Sequence, residues 1–532
     1  MTDVAAGRAF APAVEPSASL QDWIAVVAGA LGALIASLDI SIVKSALPQI
    51  QGEIGASGTE GTWISTGYLV SEVVMIPLSA FLTRVFGLRT LLLGCAGLFT
   101  VFSMVCGVAH DLPTMAGGRM GQGFFGGALI PTAQTIVRTR LPQRQMPIGM
   151  TIFGLIVLLG PLLGPVIGGW LTEAVSWRWC FFLNLPIAAG LAALLLLGLP
   201  HQRMKLDQLI RADWLGIAGM TAGLSCLTIV LEEGQRDRWF ESSTIVTLSI
   251  ISVVGFIALA ISQVTSPQPV IKLRLMLNRS YASVILIIVV VGMVLYGILY
   301  VLPQFLSLIA GYNAEQSGRI LAVSGIPAFM MMPILPLLLG KAPPRITVLT
   351  GLVCFALSCF VDTDLTADTG GGQFIMSQML RGLGQILAFM PLNQMSVGSL
   401  PPEDAPDAAG LYNMARNLGG SLGLALLGVF IDRRVEAHAD YIGQSVTQNS
   451  DLAQSMMASR AAGLTAANGG DAALGSMQAF ASLSGTVRQQ ALIMTYSECF
   501  WVLGVSLIVL MPLVLILKPP PPRGAPAREM GH

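Results

Sequence analysis

The sequence has little charge and no surplus of either sign. Only 11% of its 532 residues are Asp, Glu, Lys or Arg, whereas an ordinary soluble chain carries about 25%. The formal net charge is zero, so no basic field attracts nucleic acid. Hydrophobic residues make up 54% of the chain and the mean hydropathy is +0.72. These shortages exclude a soluble globular protein and predict that lipid surrounds most of the surface.

Motifs for covalent chemistry and for metal binding are also missing. The seven cysteines lie inside apolar runs without CxxC or Cys/His spacing, so we interpret them as small apolar side chains. The sequence contains no HExxH and no GxxxxGK[ST] pattern, which argues against a membrane enzyme and against ATP hydrolysis by this chain. It therefore predicts no catalytic residue, no metal site and no bound cofactor. Residues 1–22 lack the apolar core of a signal peptide.

Long apolar runs are what the sequence has in abundance. Because a dry bilayer forces every spanning backbone group to bond internally, each run is predicted to be a helix. Lys and Arg concentrate in alternate loops, which predicts that both termini are cytoplasmic. The fourteen runs lie at 24–45, 62–83, 90–109, 113–136, 149–171, 178–199, 214–232, 244–264, 281–308, 317–339, 346–362, 373–398, 409–431 and 493–517.

An internal echo indicates how these helices are grouped. Arg119 precedes Pro131 in the fourth run, much as Arg381 precedes Pro391 in the twelfth. Two parallel halves of this kind are a transporter architecture, so we predict an all-α membrane protein of two six-helix bundles and two central extra helices. The predicted parts are a cytoplasmic tail 1–22, an N-terminal bundle 23–200, central helices 201–270, a C-terminal bundle 271–517 with a periplasmic loop 432–490, and a cytoplasmic tail 518–532.

The fifth run carries a doubled Gly-Pro pattern. Glycines four residues apart form a flat stripe that lets another helix approach closely, and the prolines interrupt the hydrogen-bond ladder. Generic packing of small residues is the simpler explanation of a single such spacing, but the doubled pattern ending in Gly-Gly is more specific. Its residues are Gly160, Pro161, Gly164, Pro165, Gly168 and Gly169.

Six further stretches of the chain each match a sequence motif, and the motifs occur in the same order as in one known family. Together they resemble the fourteen-helix drug:proton antiporters of the major facilitator superfamily (EmrB/QacA type), and the EmrB type most. The doubled Gly-Pro pattern resembles the antiporter motif of that family. The other stretches lie at 38–48, 119–123, 177–186, 302–312, 413–423 and 490–501.

The resemblance implies multidrug efflux, driven by the proton gradient, of hydrophobic or amphipathic molecules across the bacterial inner membrane. It also implies a periplasmic adaptor and an outer-membrane channel, for which the weakly charged 432–490 segment is a candidate docking site; a disordered linker is the alternative. A major facilitator that imports or exports a specific metabolite is the competing function. Two departures from the family pattern stand out: the loop 80–89 lacks its usual acidic residue, and Lys44 replaces an asparagine.

Three charged residues lie at one predicted depth in the N-terminal bundle. Counted at ~1.5 Å per residue from the outer helix ends, Asp39, Glu72 and Arg119 are ~9–14 Å deep. Two carboxylates and a guanidinium at one level can hold a proton whose affinity depends on whether water or lipid surrounds them. We predict that Asp39 is the principal proton carrier, modulated by Glu72 and Arg119. A static ion pair between Arg119 and either carboxylate is the alternative.

Four other polar side chains fall inside the predicted spans. Lys44 lies near a helix end, so its side chain can reach the interface. We interpret Arg381 and Arg416 as braces between helices of the second half. The fourth is Gln122, one turn after Arg119.

Overall fold

The computed structural model describes residues 17–57, 60–142, 144–331, 333–398, 400–445 and 450–517. The predicted tail 518–532 and residues 1–16 of the predicted tail 1–22 lie outside these ranges. Helices form nearly all of the described chain, and it contains no strand.

The N-terminal bundle consists of eight helical pieces. Its helices are α1 (Leu20–Ile54), α2 (Trp63–Phe86), α3 (Leu88–Gly107), α4 (Leu112–Gly126), α5 (Leu129–Arg140), α6 (Met146–Ala174), α7 (Trp179–Phe182) and α8 (Asn184–Gly198). Helix α1 packs along α6, α8 and α5, and α4 packs between α2 and α3.

Three helices form the central region and nine form the C-terminal bundle. The central helices are α9 (Asp207–Ile210), α10 (Trp214–Glu233) and α11 (Ser243–Thr265). The C-terminal helices are α12 (Arg279–Leu308), α13 (Ala314–Ala322), α14 (Gly325–Met331), α15 (Leu335–Lys341), α16 (Pro344–Val361), α17 (Phe374–Gly398), α18 (Ala405–Ser445), α19 (Asp451–Ala467) and α20 (Ala472–Leu510). Short 3-10 turns connect several of them.

Local sequence explains several helix ends. Ser19 caps α1 through a reciprocal pair of bonds with Asp22, an arrangement that satisfies two backbone donors at once. Gly55 ends α1 with φ +69°, and Gly87 separates α2 from α3 with φ +76°. Both glycines adopt a left-handed backbone that side chains with a Cβ disfavour.

Within the described ranges, eleven helical stretches are long and apolar enough to cross a membrane. The predicted runs 113–136, 317–339 and 373–398 are helical in the structure but do not meet that criterion. The first is divided between α4 and α5 at a pair of glycines, Gly126 and Gly127, and the second is divided into α13, α14 and α15. The third is α17, which contains Arg381 and Asn393. The count of fourteen spans stays a prediction.

The two bundles meet along two seams. In one seam α2 packs against α18, and in the other α6 packs against α13, α14, α15 and α17. Helix α10 packs against both α2 and α18. The central pair therefore lies beside the first seam and does not merely link the bundles.

The segment predicted as a periplasmic loop, 432–490, is largely helical. Helix α18 continues to Ser445, α19 spans Asp451–Ala467, and α20 begins at Ala472. Helices α19 and α20 pack side by side, so most of the described part of this segment forms a helical hairpin.

Candidate functional site

The doubled Gly-Pro pattern lies where α6 packs most closely against α1. Three glycines of α6 face three serines of α1 at the same four-residue spacing: Gly160, Gly164 and Gly168 against Ser37, Ser41 and Ser45. A Cβ built at Gly164 would lie 2.3 Å from Ser41 Cβ, closer than atoms can pack. Gly169 faces open space, while Pro161 and Pro165 lie inside the continuous helix α6. The stripe therefore fixes the position of α1, while its role in antiport stays a prediction.

Two glycines, Gly123 of α4 and Gly127 just after its end, position that helix against α2. A Cβ at Gly123 would lie 2.1 Å from the Tyr68 carbonyl oxygen, and one at Gly127 would lie 2.7 Å from the Glu72 carbonyl oxygen. Any larger residue would push the helices apart. This close contact holds Arg119, one turn before Gly123, in the interior of the bundle.

Asp39 is the centre of a buried polar cluster. Arg119 Nη1 lies 2.5 Å from Asp39 Oδ2. The other carboxylate oxygen accepts hydrogen bonds from Gln122 Nε2 at 3.1 Å and from Asn184 Nδ2 at 2.9 Å. Asp39 is 1% exposed and Arg119 is 2% exposed. Two helices, α4 and α8, thus supply Asp39 of α1 with three donors, and the three helices are joined through it.

The guanidinium of Arg119 has partners beyond Asp39. Its Nη1 donates to Gln122 Oε1 at 3.0 Å and its Nε donates to the Ile64 carbonyl at 3.1 Å. The guanidinium carbon also lies 4.3 Å from the centre of the Tyr68 ring, a cation–π distance. The arginine therefore ties α4 to α1 and α2 at once.

Glu72 lies in a different environment. It is 3% exposed, yet it makes no hydrogen bond or ion pair with any residue that the structure describes. It interacts electrostatically with Arg416 of α18, with Arg119 and Lys44, and with the like charge of Asp39. Glu72 thus faces cations of both bundles without being bound to one.

Lys44 and Arg416 are two of the cations that interact with this unbound carboxylate. Lys44 is exposed and Arg416 is half-buried, although both lie within the predicted spans. Neither makes an ion pair or a hydrogen bond with a residue in the described ranges. Lys44 also interacts with Glu232 of α10, so it has carboxylates of two helices, α2 and α10, around it.

Arg381, which the sequence analysis interprets as a brace, forms an ion pair in the C-terminal bundle. Its Nη2 lies 2.9 Å from Asp362 Oδ2, and both side chains are nearly inaccessible. This pair joins α17 to the end of α16. Two other guanidinium nitrogens of Arg381, Nε and Nη1, find no hydrogen-bond partner within the described residues. Arg416, which we interpreted in the same way, does not brace two helices through a direct bond here.

An ion pair joins the bundles at the end that the sequence predicts to be cytoplasmic, and a lysine of the C-terminal bundle shares its carboxylate. Arg84 Nη1 lies 2.7 Å from Asp407 Oδ2, and Lys272 Nζ lies 2.5 Å from Asp404 Oδ1 and 3.2 Å from Asp407 Oδ2. The loop 80–89 lacks its own acidic residue, but α18 of the other bundle supplies one. Sequence reasoning missed this pair because its members are 323 positions apart.

A second polar contact closes the same end. Asn413 Nδ2 of α18 donates to Gln134 Oε1 of α5 at 2.8 Å. Nearby, Met390 of α17 packs against Gly154 of α6, where a Cβ would lie 1.7 Å from the methionine methyl. The structure therefore has the bundles in contact at the predicted cytoplasmic end, with Lys44 accessible toward the other end.

Sequence reasoning missed several functional candidates that the structure brings to the site. Asn184 binds Asp39 and also Ser103 Oγ at 2.9 Å; an amide inside an apolar run was the signal available. Two acidic residues of α10, Glu232 and Glu233, were read only as the end of a predicted span. Their position at the seam could not be inferred without knowing which helices α10 contacts.

One sequence match has no catalytic meaning in this fold. Residues 419–423 read Gly-Gly-Ser-Leu-Gly, which fits the Gly-x-Ser-x-Gly pattern of hydrolases. That pattern requires a strand-to-helix turn, whereas these residues lie inside α18. Ser421 donates instead to Glu232 Oε1 at 2.6 Å.

Known proteins resemble this chain over most of its length. The chain is 32% identical over 425 residues to the colistin resistance protein EmrB of Acinetobacter baumannii, covering 80% of this chain and 83% of that protein. It is 29% identical over 508 residues to the multidrug export protein EmrB of Escherichia coli K12, covering 95% and 97%.

Solved structures agree on the fold. The proton:xylose symporter XylE superposes with a TM-score of 0.60 at 12% identity, covering 94% of this chain and 96% of that one. The profile of the Major Facilitator Superfamily matches residues 29–424. Two bundles that meet at α2 and α18, with a central pair beside the seam, are thus a variant of this fold, and the chain belongs to the Major Facilitator Superfamily.

Proposed function

We propose that this chain exports hydrophobic or amphipathic small molecules across the bacterial inner membrane by alternating access, driven by the proton gradient. The names of its relatives, a multidrug export protein and a colistin resistance protein, support the direction of transport. The observation that carries the proposal is Glu72, a buried carboxylate that bonds to no described residue and lies on α2, the helix that packs against α18 of the other bundle. Burying such a group in a membrane segment costs free energy, so it marks a functional site.

The proton-coupling group is Asp39, Glu72 and Arg119, with unequal roles. Protonating Asp39 would break its ion pair and leave the buried guanidinium of Arg119 without a counter-charge, which is costly. Protonating Glu72 breaks no direct bond. This difference favours Glu72 as the carboxylate that gains and loses the proton, whereas the sequence placed Asp39 first.

The charge of Glu72 also acts on the other bundle. As an anion it attracts Arg416 of α18, and this attraction acts across the seam between α2 and α18. A bound proton removes the attraction and weakens the hold between the bundles. Proton binding at Glu72 therefore changes the relative energy of the two arrangements, as coupling requires.

Transport by inside-out vesicles tests the proposal. Vesicles with the purified chain and an acidic interior should accumulate a fluorescent lipophilic dye, and collapsing the pH gradient with nigericin should stop the accumulation. Vesicles without the protein are the control. Dye entry that is driven only by the concentration gradient of the dye would contradict proton-driven export. Transport of a sugar in the direction opposite to that of the dye would also contradict it.

The helical hairpin of α19 and α20 supports a partner outside the membrane. It exposes Met477 and Phe480 to solvent, at 68% and 66%, and such side chains suit a protein interface. We propose that this hairpin contacts a periplasmic adaptor of a tripartite pump, which would pass substrate on to an outer-membrane channel. Deleting 446–490 should preserve membrane insertion and dye transport in vesicles but abolish resistance of intact cells. Unchanged resistance at equal expression would contradict the adaptor.

Both termini are proposed to be cytoplasmic, with the hairpin periplasmic. The Lys and Arg bias of the short loops supports this orientation. A phosphatase reporter inserted after residue 460 should be active only if that residue is periplasmic. An inactive reporter in a stable fusion would reverse the assigned topology.

A further inference from the structure

Helix α10 ends in two consecutive glutamates that bind opposite bundles. Glu233 Oε1 accepts a hydrogen bond of 2.7 Å from Thr66 Oγ1 of α2. Glu232 Oε1 accepts one of 2.6 Å from Ser421 Oγ of α18. Successive side chains on a helix point about 100° apart, so the end of α10 can reach both sides of the seam. The central pair thus bridges the N-terminal and C-terminal bundles.

The two attachments differ in burial. Glu233 is 3% exposed, and besides Thr66 it binds Thr62 at 3.3 Å and Arg236 at 2.7 Å. Glu232 is only half-buried, and Ser421 is its single hydrogen-bond partner within the described chain. Helix α10 is therefore held to the N-terminal bundle through the buried Glu233 and to the C-terminal bundle through the half-buried Glu232, while Gln235 Nε2, just beyond its end, donates to Asp432 Oδ2 of α18 at 3.0 Å.

Lys44 is the cation that Glu232 faces. It lies on α1, ~7–8 Å further out along the helix than Asp39. It interacts electrostatically with Glu232 and with Glu72. The Lys44 residue is exposed and has no direct partner in the described residues. While the cavity is open, water can solvate this charge, but a closed and dry cavity would leave it uncompensated at a high cost.

We propose that Glu232 is a conformational switch, which binds Ser421 when the cavity is open to the outside and binds Lys44 when the cavity closes. The switch rests on the proposed alternating access. Rocking of the bundles slides α18 past α10 and carries Ser421 away from the carboxylate. Lys44 and Glu232 both move with the N-terminal bundle, so rotation of one side chain is enough to form their ion pair. The pair then neutralises Lys44 at the moment its water is expelled.

The switch predicts that two substitutions shift the equilibrium between the open and closed states in opposite directions. Ser421→Ala removes the partner of the open state, so it should shift the equilibrium toward the closed state by about tenfold, which corresponds to about 1.4 kcal/mol. Lys44→Gln removes the partner of the closed state and should shift the equilibrium about tenfold in the other direction. The double variant K44E/E232K exchanges the two charges, so it should reverse most of the equilibrium shift caused by Lys44→Gln.

Spin-label distances in the full-length reconstituted protein can measure these shifts. Cysteines at Gln49 of α1 and Ser307 of α12 would carry the labels, because both side chains are exposed near the outer helix ends, and the seven native cysteines would be replaced. The outer-closed state should give the shorter distance. Ser506→Ala is the matched control, since Ser506 bonds only to the Leu503 carbonyl of its own helix at 2.7 Å.

The outcomes separate the switch from the transport function. Shifts of Ser421→Ala and Lys44→Gln in the same direction, or no recovery in the exchange variant, would overturn the switch while dye export by the unaltered chain still supports the proposed function. A distance that never responds to pH or dye in the unaltered chain would overturn alternating access and the switch with it.

Discussion

Asp39 and Glu72 lie at a similar predicted depth, yet the structure surrounds them differently. Asp39 is bound by Arg119, Gln122 and Asn184, whereas Glu72 faces its cations without a direct bond among the described residues. Both carboxylates are nearly inaccessible to solvent. Burial and depth are therefore alike for the two carboxylates. They differ in the number of donors that hold the anion, and the proposed roles rest on that difference.

The two arginines of the internal echo differ in the same way. Arg119 binds a carboxylate of α1 and three further groups, while Arg381 binds Asp362 of α16 and leaves two nitrogens without partners in the described chain. The repeated sequence thus places an arginine at equivalent points of both bundles. Each bundle then supplies its own counter-charge from a different helix.

The largest effect should separate the two carboxylates. Glu72→Gln should abolish gradient-driven dye transport in vesicles without lowering thermal stability, because no direct bond is lost. Asp39→Asn should lower the stability, since hydrogen bonds to a charged group are worth about 1.5–3 kcal/mol each. Thermal unfolding and transport would be measured on both variants. Full coupled transport by Glu72→Gln would reverse the assigned roles.

The next prediction compares the stability losses caused by removing each of the two arginines. Arg119→Met should destabilise the protein by about 3–5 kcal/mol, because it leaves Asp39 charged, buried and unpaired. Arg381→Met should cost less, since Arg381 has fewer partners. The unfolding temperatures of the two purified variants give the comparison. A greater loss for Arg381→Met would show that the C-terminal pair, and not the Asp39 cluster, is the main structural ion pair.

The next prediction concerns the Asp407 contacts at the predicted cytoplasmic end. Asp407→Asn weakens the contacts with Arg84 and Lys272, which we expect to cost about 1.5–3 kcal/mol and to favour opening at the predicted cytoplasmic end. A cysteine at Met390, which packs against Gly154, should then react faster with a thiol reagent. Glu403→Gln is the matched control because Glu403 is exposed. Equal labelling rates in both variants would contradict a gate at this point.

The smallest effect concerns the glycine stripe that positions Asp39. Gly164→Ala should cost about 1–3 kcal/mol through overpacking, because its Cβ would meet Ser41 of α1. Gly169→Ala, in the same helix and motif, should cost nothing measurable since nothing lies within 4 Å of the new atom. Thermal stability of the pair checks this. Equal losses would mean that the motif acts through backbone flexibility and not through close packing.

Much of the fold was predictable because its causes are local. The apolar runs indicated most helices, and the glycines of the fifth run indicated a close helix contact. Short helices at 451–465 and 473–490 follow from their Ala, Gln and Ser content, but their pairing into a hairpin and the breaks in the fourth and tenth runs were not predicted. The break in the fourth run lies where Gly127 packs against Glu72 of α2, and the hairpin depends on the pairing of α19 with α20. Both causes are contacts between distant segments.

The sequence predicted the three charged residues of the candidate site but not which side chains bond to one another. Sequence depth selected Asp39, Glu72 and Arg119, but it could not say which carboxylate the arginine binds. Asn184 completes the Asp39 cluster from a helix 145 positions away. No spacing rule connects residues so far apart in the chain.

The sequence by itself determined that this chain is a helical membrane protein with buried charges, because hydropathy and the cost of burying charge act on each segment separately. Tertiary structure alone decided which charges have direct bonding partners. Asp39 is bonded and Glu72 is not, among the described residues, because α4 and α8 bring three donors to the first and none to the second. It also decided that Glu232 and Glu233 of α10 bind opposite bundles, since only the packing of that helix beside the seam gives two neighbouring residues different partners.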